Sequence, residues 1–311
     1  MNNENCKLAL IIVTYNRKEL LMRALNASLN QSYLPATVFI IDNASTDGTY
    51  EYLLDNHMLE NDMVEIQYHR LNENEGGAGG FYHGLKMAHE KGCYDAYVVM
   101  DDDGLPDKDE LNFLVQYASH YDYINAFVIS EDDRSKTSFP RGDYGFERKL
   151  IEQEANEEGI IFNYAAPFNG TLYTKKLVDK VGFPNPDMFF QGDEVNYHKR
   201  ILKAGITPVT VIHAIHYHPC KIPQVYKLNV GGKVLKVSLE STPLRIYCKH
   251  RNLVYNRFTM YDYGYIAITY FFYSYLYLFK QKSWKNYVIF NRAVWAGFCR
   301  NLKGHRKYIK G

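Results

Sequence analysis

Short apolar runs alternate with amphipathic segments along the first hundred residues of the chain. The runs Leu8–Val13, Val38–Ile41, Val64–Tyr68 and Ala96–Met100 have the length of buried strands, and the first three are each followed by apolar residues at helical spacing. Strands that alternate with helices predict an α/β fold with a mainly parallel sheet and helices on both faces. Ligands of such sheets bind beyond the carboxyl ends of the strands, so we expect the functional site at that edge.

Three adjacent carboxylates follow the fourth run. Asp101, Asp102 and Asp103 stand directly behind Ala96–Met100. Carboxylates crowded at the rim of a core repel one another and lose solvation, and a hard divalent cation is the simplest way to hold them together. For an isolated triplet the alternative is a turn whose aspartates cap the following helix.

The other three runs also end in polar turns. These turns contain Thr14, Asn16 and Arg17 after the first run, Asp42 and Asn43 after the second, and Asn74, Gly76 and Gly77 after the third. The glycine spacing matches neither a dinucleotide fingerprint nor a phosphate loop, and the glycines could equally serve the close packing of a helix that starts at Gly80. Four polar turns at one edge of the sheet favour a nucleotide-type site.

The second half of the chain supplies further candidate groups. Within Met188–Tyr197, Asp193 and Glu194 open a predicted helix, where a carboxylate could act as a general base or could simply favour the positive end of the helix dipole. Three histidines lie within six positions, and two of them, His216 and His218, share one side of an extended strand. No cysteine pair has the spacing that would complete a zinc site with them.

In order along the chain, these motifs resemble those of family 2 glycosyltransferases, which have the Rossmann-like GT-A fold. The resemblance rests on Val13–Arg17, Asp42–Thr49, Asn74 with its glycines, and the aspartate triplet. It implies an inverting transferase that uses a nucleotide-sugar donor and a divalent metal, Mn²⁺ or Mg²⁺. The glycine-rich turn with Met100–Asp103 is similar to that of bacterial galactofuranosyltransferases, whose donor is UDP-galactofuranose, and rhamnosyltransferases have overlapping motifs.

The resemblance also assigns roles to individual residues. It implies that the donor is surrounded by Thr14, Asn16, Arg17, Asp42, Asn43, Asn74, Gly76, Gly77, Asp101, Asp102 and Asn169. It implies that Glu194 is the general base, with Asp193 as the alternative. The expected metal ligands are Asp103, with Asp101 beside it, and His218 or its rival His216.

Charge is divided unevenly along the chain. The 311 residues carry a net charge of +1, but residues 263–311 contain nine lysines and arginines and no acidic residue, which leaves −8 on the first 262. The apolar run Ile266–Phe279 is shorter than the roughly 20 residues that span a bilayer, and its aromatic and basic surroundings favour an anionic membrane surface. The alternative is a helical pair that packs on the catalytic domain or on another subunit, as in a homo-oligomer. Nucleic-acid binding lacks a recognition motif.

We therefore predict a GT-A catalytic domain over residues 1–245, with a donor half at 1–125 and an acceptor half at 126–245, followed by aromatic and basic helices over 246–311. The predicted function is transfer of a sugar, galactofuranose as first choice, to a lipid-linked or growing bacterial surface polysaccharide such as a capsule. The alternatives are rhamnosyl or other hexosyl transfer and, from another class, a catalytically silent subunit that binds a nucleotide-sugar or a glycan. Scattered cysteines and an N-terminus without a signal-peptide pattern favour the cytoplasmic face of the membrane.

Overall fold

The computed structural model describes residues 6–220, 225–230, 233–259 and 261–309. Its strands are β1 (Leu8–Thr14), β2 (Thr37–Asp42), β3 (Glu65–Arg70), β4 (Ala96–Asp101), β5 (Leu105–Pro106), β6 (Tyr123–Ser130), β7 (Lys136–Arg141), β8 (Gly145–Glu147), β9 (Ile160–Phe162), β10 (Asn169–Thr174), β11 (Val209–His218), β12 (Val225–Val230) and β13 (Lys233–Ser238). Its α-helices are α1 (Lys18–Leu29), α2 (Thr49–Asp55), α3 (Gly76–Glu90), α4 (Glu110–Gln116), α5 (Arg148–Glu152), α6 (Lys175–Val181), α7 (Asp193–Lys203), α8 (Pro243–Phe258), α9 (Tyr263–Tyr275) and α10 (Trp284–Phe298).

The chain divides into two compact units. The first contains the described residues of Met1–Pro186 and Tyr197–Lys221, and the second contains those of Asp187–Asn196 and Ile222–Gly311. The second unit therefore includes the segment that leads into α7 as well as the C-terminal helices, whereas we expected a single boundary at residue 245.

A mixed sheet forms the centre of the first unit. Its strand order is β3-β2-β1-β4-β10-β6-β11-β5. Strands β3, β2, β1 and β4 run parallel, as the four apolar runs predicted, while β10 is antiparallel to both of its neighbours. The register pairs Thr14 with Asp42 and Val13 with Asp101. The polar turns that follow β1, β2 and β4 therefore lie side by side at one edge of the sheet.

Helices cover both faces of this sheet, which explains why β1 is apolar at consecutive positions. Its even-numbered residues, such as Leu10 and Ile12, pack in a cluster with α1, α2 and α4. Its odd-numbered residues, such as Ile11 and Val13, pack in a second cluster with α3, α6 and the later part of α7. A strand buried on both faces needs no polar alternation. The predicted α/β class with helices on both faces is confirmed.

Helix α3 packs tightly against the sheet through glycines. It begins at Gly76 rather than at the predicted Gly80, so the glycine-rich turn is largely helical. A Cβ atom at Gly80 would lie 2.3 Å from Val13 Cγ1, and one at Gly84 would lie 2.4 Å from Ile11 Cγ2. Atoms cannot approach this closely, so glycine at these two positions lets the helix lie directly on β1.

The second unit contains the hairpin of β12 and β13 and the helices α8, α9 and α10. A π-helical turn, Leu276–Lys280, follows α9. Aromatic rings dominate the core, where the buried His250 ring meets Tyr273 and Phe290 edge-on with centroids 4.3 and 4.7 Å away. Of the helices that the structure describes, none has the length and apolar character needed to cross a bilayer.

The packing of α3 predicts different effects for two glycine substitutions. Gly84→Ala should lower the free energy of unfolding by about 1–3 kcal/mol, the usual cost of overpacking a core. Gly77→Ala is the matched control, because a Cβ there would meet nothing within 4 Å and alanine favours the helix by up to about 1 kcal/mol. Urea denaturation followed by circular dichroism measures both. Equal stabilities of the two variants would refute the role of Gly84 in close packing.

Candidate functional site

The three adjacent aspartates lie at the end of β4, where side chains from the end of β1, from the turn after it and from β11 reach them. Thr14 Oγ1 donates a hydrogen bond of 2.7 Å to Asp102 Oδ2. Arg17 Nη1 donates to Asp102 Oδ1 and to Asp103 Oδ2, at 2.9 Å in each case. His218 Nε2 lies 3.4 Å from Asp103 Oδ1. Two basic side chains thus share the negative charge of the triplet.

The carboxyl groups respond differently to this crowding. Burial and the charges of Asp103 and Asp102 raise the pKa of Asp101 to about 8. Burial also raises the pKa of Asp102 to about 6, although Arg17 opposes the shift. At Asp103 burial is outweighed by His218 and Arg17, which lower the pKa, and the pKa of His218 is raised in turn despite its burial. The contact between Asp103 and His218 therefore favours the charged form of both groups, beside a carboxyl group that resists ionisation.

These donors fit a hard cation whose coordination is completed by substrate. Within the described part of the chain, no three His, Cys, Asp or Glu side chains are grouped so that they could hold a metal ion by themselves. Mg²⁺ is commonly bound by one or two carboxylates together with substrate phosphates rather than by a closed protein cage, and carboxylate ligands also suit Mn²⁺. Asp103, with Asp101 and His218 near it, has the chemistry of such a partial ligand set.

His216 has a different partner from His218. Its Nδ1 lies 3.0 Å from Glu110 Oε2, and both side chains are fully buried. A Cβ atom at Gly104, in the turn after the triplet, would lie 2.3 Å from His216 Nε2, so glycine makes room for the ring. Of the two histidines expected as rival metal ligands, His218 contacts Asp103, whereas the His216 ring is held by Glu110. Their shared side of the strand did not reveal this difference.

A cavity of about 640 Å³ opens beyond the ends of β2 and β3. It is lined by Asp42, Ser45, Thr46, Gly48, Thr49, Tyr50, Glu51, Tyr68 and Arg70. The buried carboxylate of Asp42 accepts hydrogen bonds from the Tyr68 hydroxyl and, at 2.8 Å, from Ser45 N. Arg70 Nε lies 3.7 Å from Asp42 Oδ2, and the rings of Tyr50 and Tyr68 have centroids 5.0 Å apart. The cavity thus offers an aromatic face, a guanidinium group and a carboxylate within a volume typical of small-molecule sites.

Sequence reasoning missed Tyr68, Arg70 and Glu110. Tyr68 and Arg70 alternate at the end of β3, so the period of two in a strand and the shared sheet edge could have identified them. Glu110 follows a polar stretch in which nothing in the residue pattern marks one carboxylate as buried. Its importance is visible only through its contact with His216.

Two asparagines expected to contact the donor shape the turn before α3. Asn43 Nδ2 donates to the carbonyl oxygen of Gly76 at 2.7 Å, and Asn43 Oδ1 accepts from Glu75 N at 2.8 Å. Asn74 Oδ1 accepts from Gly76 N, also at 2.8 Å. Both amide groups thus fix the backbone at the start of α3. Contact of these residues, and of Gly77 beside them, with a donor stays a prediction.

Asn16 and Asn169 also bond to nearby backbone groups. Asn16, whose backbone has a φ of 53°, accepts a hydrogen bond from Thr46 N at its Oδ1, with a distance of 2.7 Å. Asn169, buried at the start of β10, donates from Nδ2 to the carbonyl oxygen of Pro167 at 3.0 Å. The first of these bonds joins the turn after β1 to the turn after β2, which brings two walls of the site together.

The acidic pair begins helix α7 in the second unit. Asp193 is buried, whereas Glu194 is partly exposed. Glu194 Oε2 accepts a hydrogen bond of 2.8 Å from Gly192 N. Glu194 is therefore the more accessible of the two carboxylates for a proton transfer with substrate.

Comparison with known proteins gives four likenesses: one to a family model, one to a curated relative and two to solved structures. The family model described as glycosyl transferase family 2 matches residues 9–182. The galactofuranosyltransferase GlfT1 of Mycolicibacterium smegmatis is 29% identical over 232 residues, which are 72% of this chain and 74% of that relative. The solved mannosyltransferase PcManGT from Pyrobaculum calidifontis, in complex with GDP-Man and Mn²⁺, aligns with a TM-score of 0.54 and 19% identity over 94% of this chain and 75% of its own. The structure of GalNAc-T7 with UDP, GalNAc and Mn²⁺ aligns with a TM-score of 0.57 and 12% identity over 81% of this chain and 47% of its own.

The two structural likenesses confirm the expected GT-A fold, since both known structures are glycosyltransferases of that fold. They say nothing by themselves about the substrate of this chain, because identities this low establish architecture rather than specificity.

The raised pKa of Asp101 predicts a pH-dependent effect of Asp101→Asn. The pKa of about 8 lies above the usual value of about 3.9, so the folded wild type keeps a proton that the unfolded chain loses. The contribution of this group to stability therefore falls as the pH rises from about 4 to 8, and asparagine avoids the loss. In chelator, the Tm advantage of Asp101→Asn over wild type should be larger at pH 8 than at pH 5.

Differential scanning fluorimetry measures this difference at both pH values. Asp62→Asn is the matched control, because its side chain is exposed, and it should show no comparable pH dependence. A Tm difference for Asp101→Asn that is the same at pH 5 and pH 8 would contradict the prediction.

Proposed function

The chain belongs to glycosyl transferase family 2, and we propose that it transfers galactofuranose from UDP-galactofuranose to a hydroxyl of a lipid-linked bacterial surface polysaccharide, with inversion at the anomeric carbon. The observation that carries the proposal is the continuity of the site: Thr14 pairs with Asp42 of the cavity across β1 and β2, and bonds to Asp102 of the triplet. A nucleoside pocket and a carboxylate cluster at one sheet edge suit a nucleotide-sugar. The likeness to GlfT1 of Mycolicibacterium smegmatis supports the choice of sugar.

We assign the nucleoside to the cavity beyond β2 and β3. The exposed ring of Tyr50 offers a face on which a base can stack. Each oxygen of Asp42 already accepts one hydrogen bond and has a second lone pair for the base or the ribose. The guanidinium of Arg70 provides positive charge for the anionic donor.

Asp103 and His218, with Asp101 beside them, are the residues that would hold Mn²⁺ or Mg²⁺. When bound, the cation neutralises the charge that develops on the departing nucleotide diphosphate. His218 would hold a metal only as the neutral imidazole, and Asp103, which raises the pKa of this ring, favours the protonated form that competes with the metal. The Mn²⁺ in the complexes of the mannosyltransferase PcManGT and of GalNAc-T7 supports this choice of metal.

Glu194 takes the proton of the acceptor hydroxyl. As that oxygen forms its bond to the anomeric carbon, the bond from this carbon to the diphosphate breaks, and the electron pair leaves with the nucleotide. Attack on the face opposite the leaving group inverts the configuration. The partial exposure of Glu194, in contrast to the burial of Asp193, supports its assignment as the base.

The C-terminal helices are proposed to lie on an anionic membrane surface and to receive the lipid of the acceptor. Large exposed side chains, Phe271, Phe279, Trp284 and Trp295, are each at least 65% accessible, in a segment without acidic residues. Aromatic and basic side chains together favour the headgroup region of anionic lipid. An apolar groove of about 720 Å³ is lined by Tyr226, Lys227, Ile268, Phe271, Phe272, Tyr275, Leu276 and Lys280. Its two lysines suit a lipid that has an anionic head.

A panel of nucleotide-sugars tests donor, metal and base together. With Mn²⁺, wild type should gain Tm with UDP-galactofuranose, because a ligand that binds only the folded state stabilises it, and Asp103→Ala should lose this gain. Glu194→Gln should keep the gain but lower the rate of transfer by at least about a hundredfold, in the range for loss of a general base. The rate is measured as UDP released in the presence of acceptor.

The alternatives give different results in the same panel. A Tm gain with a dTDP- or other UDP-sugar alone would replace galactofuranose as the donor. Donor binding without transfer by wild type, in the presence of a range of acceptors, would favour a silent binding subunit. Full activity of Glu194→Gln would refute the assignment of Glu194 as the general base.

Vesicle binding tests the proposed membrane surface. Trp295→Ser should weaken sedimentation with phosphatidylglycerol-containing vesicles by roughly tenfold or more, because burial of a large apolar side chain contributes about 1.5–3 kcal/mol. Met63→Ser is the control, since Met63 is equally exposed but lies in the first unit. Equal binding of wild type to pure phosphatidylcholine vesicles, or no effect of Trp295→Ser, would refute this assignment of the surface.

A further inference from the structure

The loop that leads into α7 has an unusual backbone. Phe189, Gln191 and Gly192 have φ values of 67°, 62° and 98°. For a residue other than glycine, the left-handed backbone conformation costs roughly 1–2 kcal/mol of free energy. Phe189 and Gln191 therefore need contacts that compensate for this cost. Glu194, the proposed base, follows this loop by two residues and accepts a hydrogen bond from Gly192 N. The position of its carboxylate therefore depends on the conformation of the loop.

Asn252, in the middle of α8, supplies many of the compensating contacts. Its Nδ2 lies 2.9, 3.1 and 2.8 Å from the carbonyl oxygens of Met188, Phe190 and Gln191. The Asn252 side chain is completely buried. One amide NH₂ group thus lies within hydrogen-bonding distance of three carbonyl oxygens of the loop, of which that of Met188 also accepts from Phe190 N at 2.9 Å.

Arg251 holds the beginning of the same loop. Its Nη2 donates to the carbonyl oxygen of Met188 at 2.6 Å, and its Nε donates to Asn252 Oδ1 at 2.9 Å. The second bond fixes the orientation of the Asn252 amide, so that its NH₂ group faces the loop. The His305 ring accepts from Arg251 Nη1 at 3.1 Å and stacks on Phe189 with centroids 4.4 Å apart.

The buried guanidinium is held largely by neutral groups. Arg251 is fully buried, and burial lowers its pKa, although Asp187 is among the groups that oppose the shift. Burial and the charge of Arg251 lower the pKa of His305 to about 4, so this ring is the neutral acceptor that the guanidinium needs. Burial of the guanidinium charge costs free energy unless each of its N–H donors has an acceptor. Displacement of the loop would remove the Met188 carbonyl acceptor and is therefore disfavoured.

Asn256, one helical turn after Asn252, holds the end of the loop. Its Nδ2 donates to the carbonyl oxygen of Gly192 at 2.8 Å, and its Oδ1 accepts from Asn196 Nδ2 at 3.0 Å. A Cβ atom at Gly192 would lie 3.2 Å from Asn252 Cβ, so the loop is also packed closely against α8. Asn256 thereby joins both the loop and the first turn of α7 to α8.

We propose that Arg251, Asn252 and Asn256 are positioning residues that form a clamp, the α8 clamp, which holds the loop Met188–Gly192 and so sets the position of the Glu194 carboxylate for proton transfer. This inference rests on the proposed role of Glu194 as the base. The clamp acts through backbone carbonyl groups and requires no contact of its own with the donor or the acceptor.

The test compares kcat with KM in Asn252→Ala. Release of the loop should lower kcat by up to about a hundredfold, the cost of displacing a catalytic group by about 1 Å, while KM for UDP-galactofuranose and the Kd of UDP with Mn²⁺ stay within about twofold. In a Glu194→Gln background the same substitution should produce no further loss, because the clamp acts through the group already removed.

Asn291→Ala is the matched control for loss of stability. Asn291 also lies in the second unit, where its Nδ2 donates to the carbonyl oxygen of Tyr287 and its Oδ1 accepts from the Tyr270 hydroxyl, both at 2.8 Å. This variant should lower Tm without lowering kcat. Asn256→Ala removes only the contacts at Gly192 and Asn196 and should lower kcat less than Asn252→Ala does. If Asn252→Ala does not fold, the kcat of Asn256→Ala tests the clamp.

Failure of the clamp and failure of the proposed function give different results. Wild-type kcat in Asn252→Ala and Asn256→Ala, with an inactive Glu194→Gln, would refute the clamp alone. An equal further loss of kcat when Asn252→Ala is added to Glu194→Gln would also refute it. Full activity of Glu194→Gln would refute the base assignment, whatever the clamp variants do.

Discussion

Repulsion among three carboxylates that cannot move apart is the constraint on which the site depends. The aspartates are adjacent in the chain and lie at the end of a buried strand, so positive charge has to be brought to them. Arg17 arrives from the turn after β1 and His218 from the end of β11, and these strands lie on opposite sides of β4 in the sheet. The strand order therefore decides whether these two positive groups reach the aspartates. The site, like the hydrophobic core, depends on the whole sheet being formed.

Asparagine amides organise the loops of both units. In the first unit Asn43 and Asn74 hold the turn before α3, and in the second Asn252 and Asn256 hold the loop before α7. An amide can donate and accept at once without a charge that must be neutralised, so it suits buried loop backbone close to ionised groups. Loops held in this way keep their shape before a substrate binds, which lowers the cost of organising a reactive geometry.

Much of the fold could be predicted from the sequence, because β1, β2 and β4 are buried on both faces and appear as continuous apolar runs. The strand ends then indicated the sheet edge that carries the aspartates and Asp42. The contact partners of individual side chains were harder to predict than the strands. The spacing of His216 and His218 defined a shared side of β11, but only the fold brings Glu110 to one and Asp103 to the other. The role of Arg251 and Asn252 could not be predicted from the sequence, since their partners are backbone carbonyl groups some sixty residues earlier in the chain.

Strand β3 has two roles that usually belong to different parts of a protein: it forms an edge of the sheet and a wall of the cavity. It stands at one end of the strand order, where unpaired backbone groups could recruit a strand from another molecule, and its sequence from Glu65 to Arg70 is correspondingly polar. The same strand supplies Tyr68 and Arg70 to the wall of the cavity. Replacement of Tyr68 and Arg70 by apolar residues, to suit a less polar ligand at this wall, would therefore remove polar groups from an edge whose polarity disfavours pairing with a strand of another molecule. The ligand preference of the cavity and the solubility of the protein thus both depend on β3. Substitutions that change the ligand preference through this strand would also increase the tendency to aggregate.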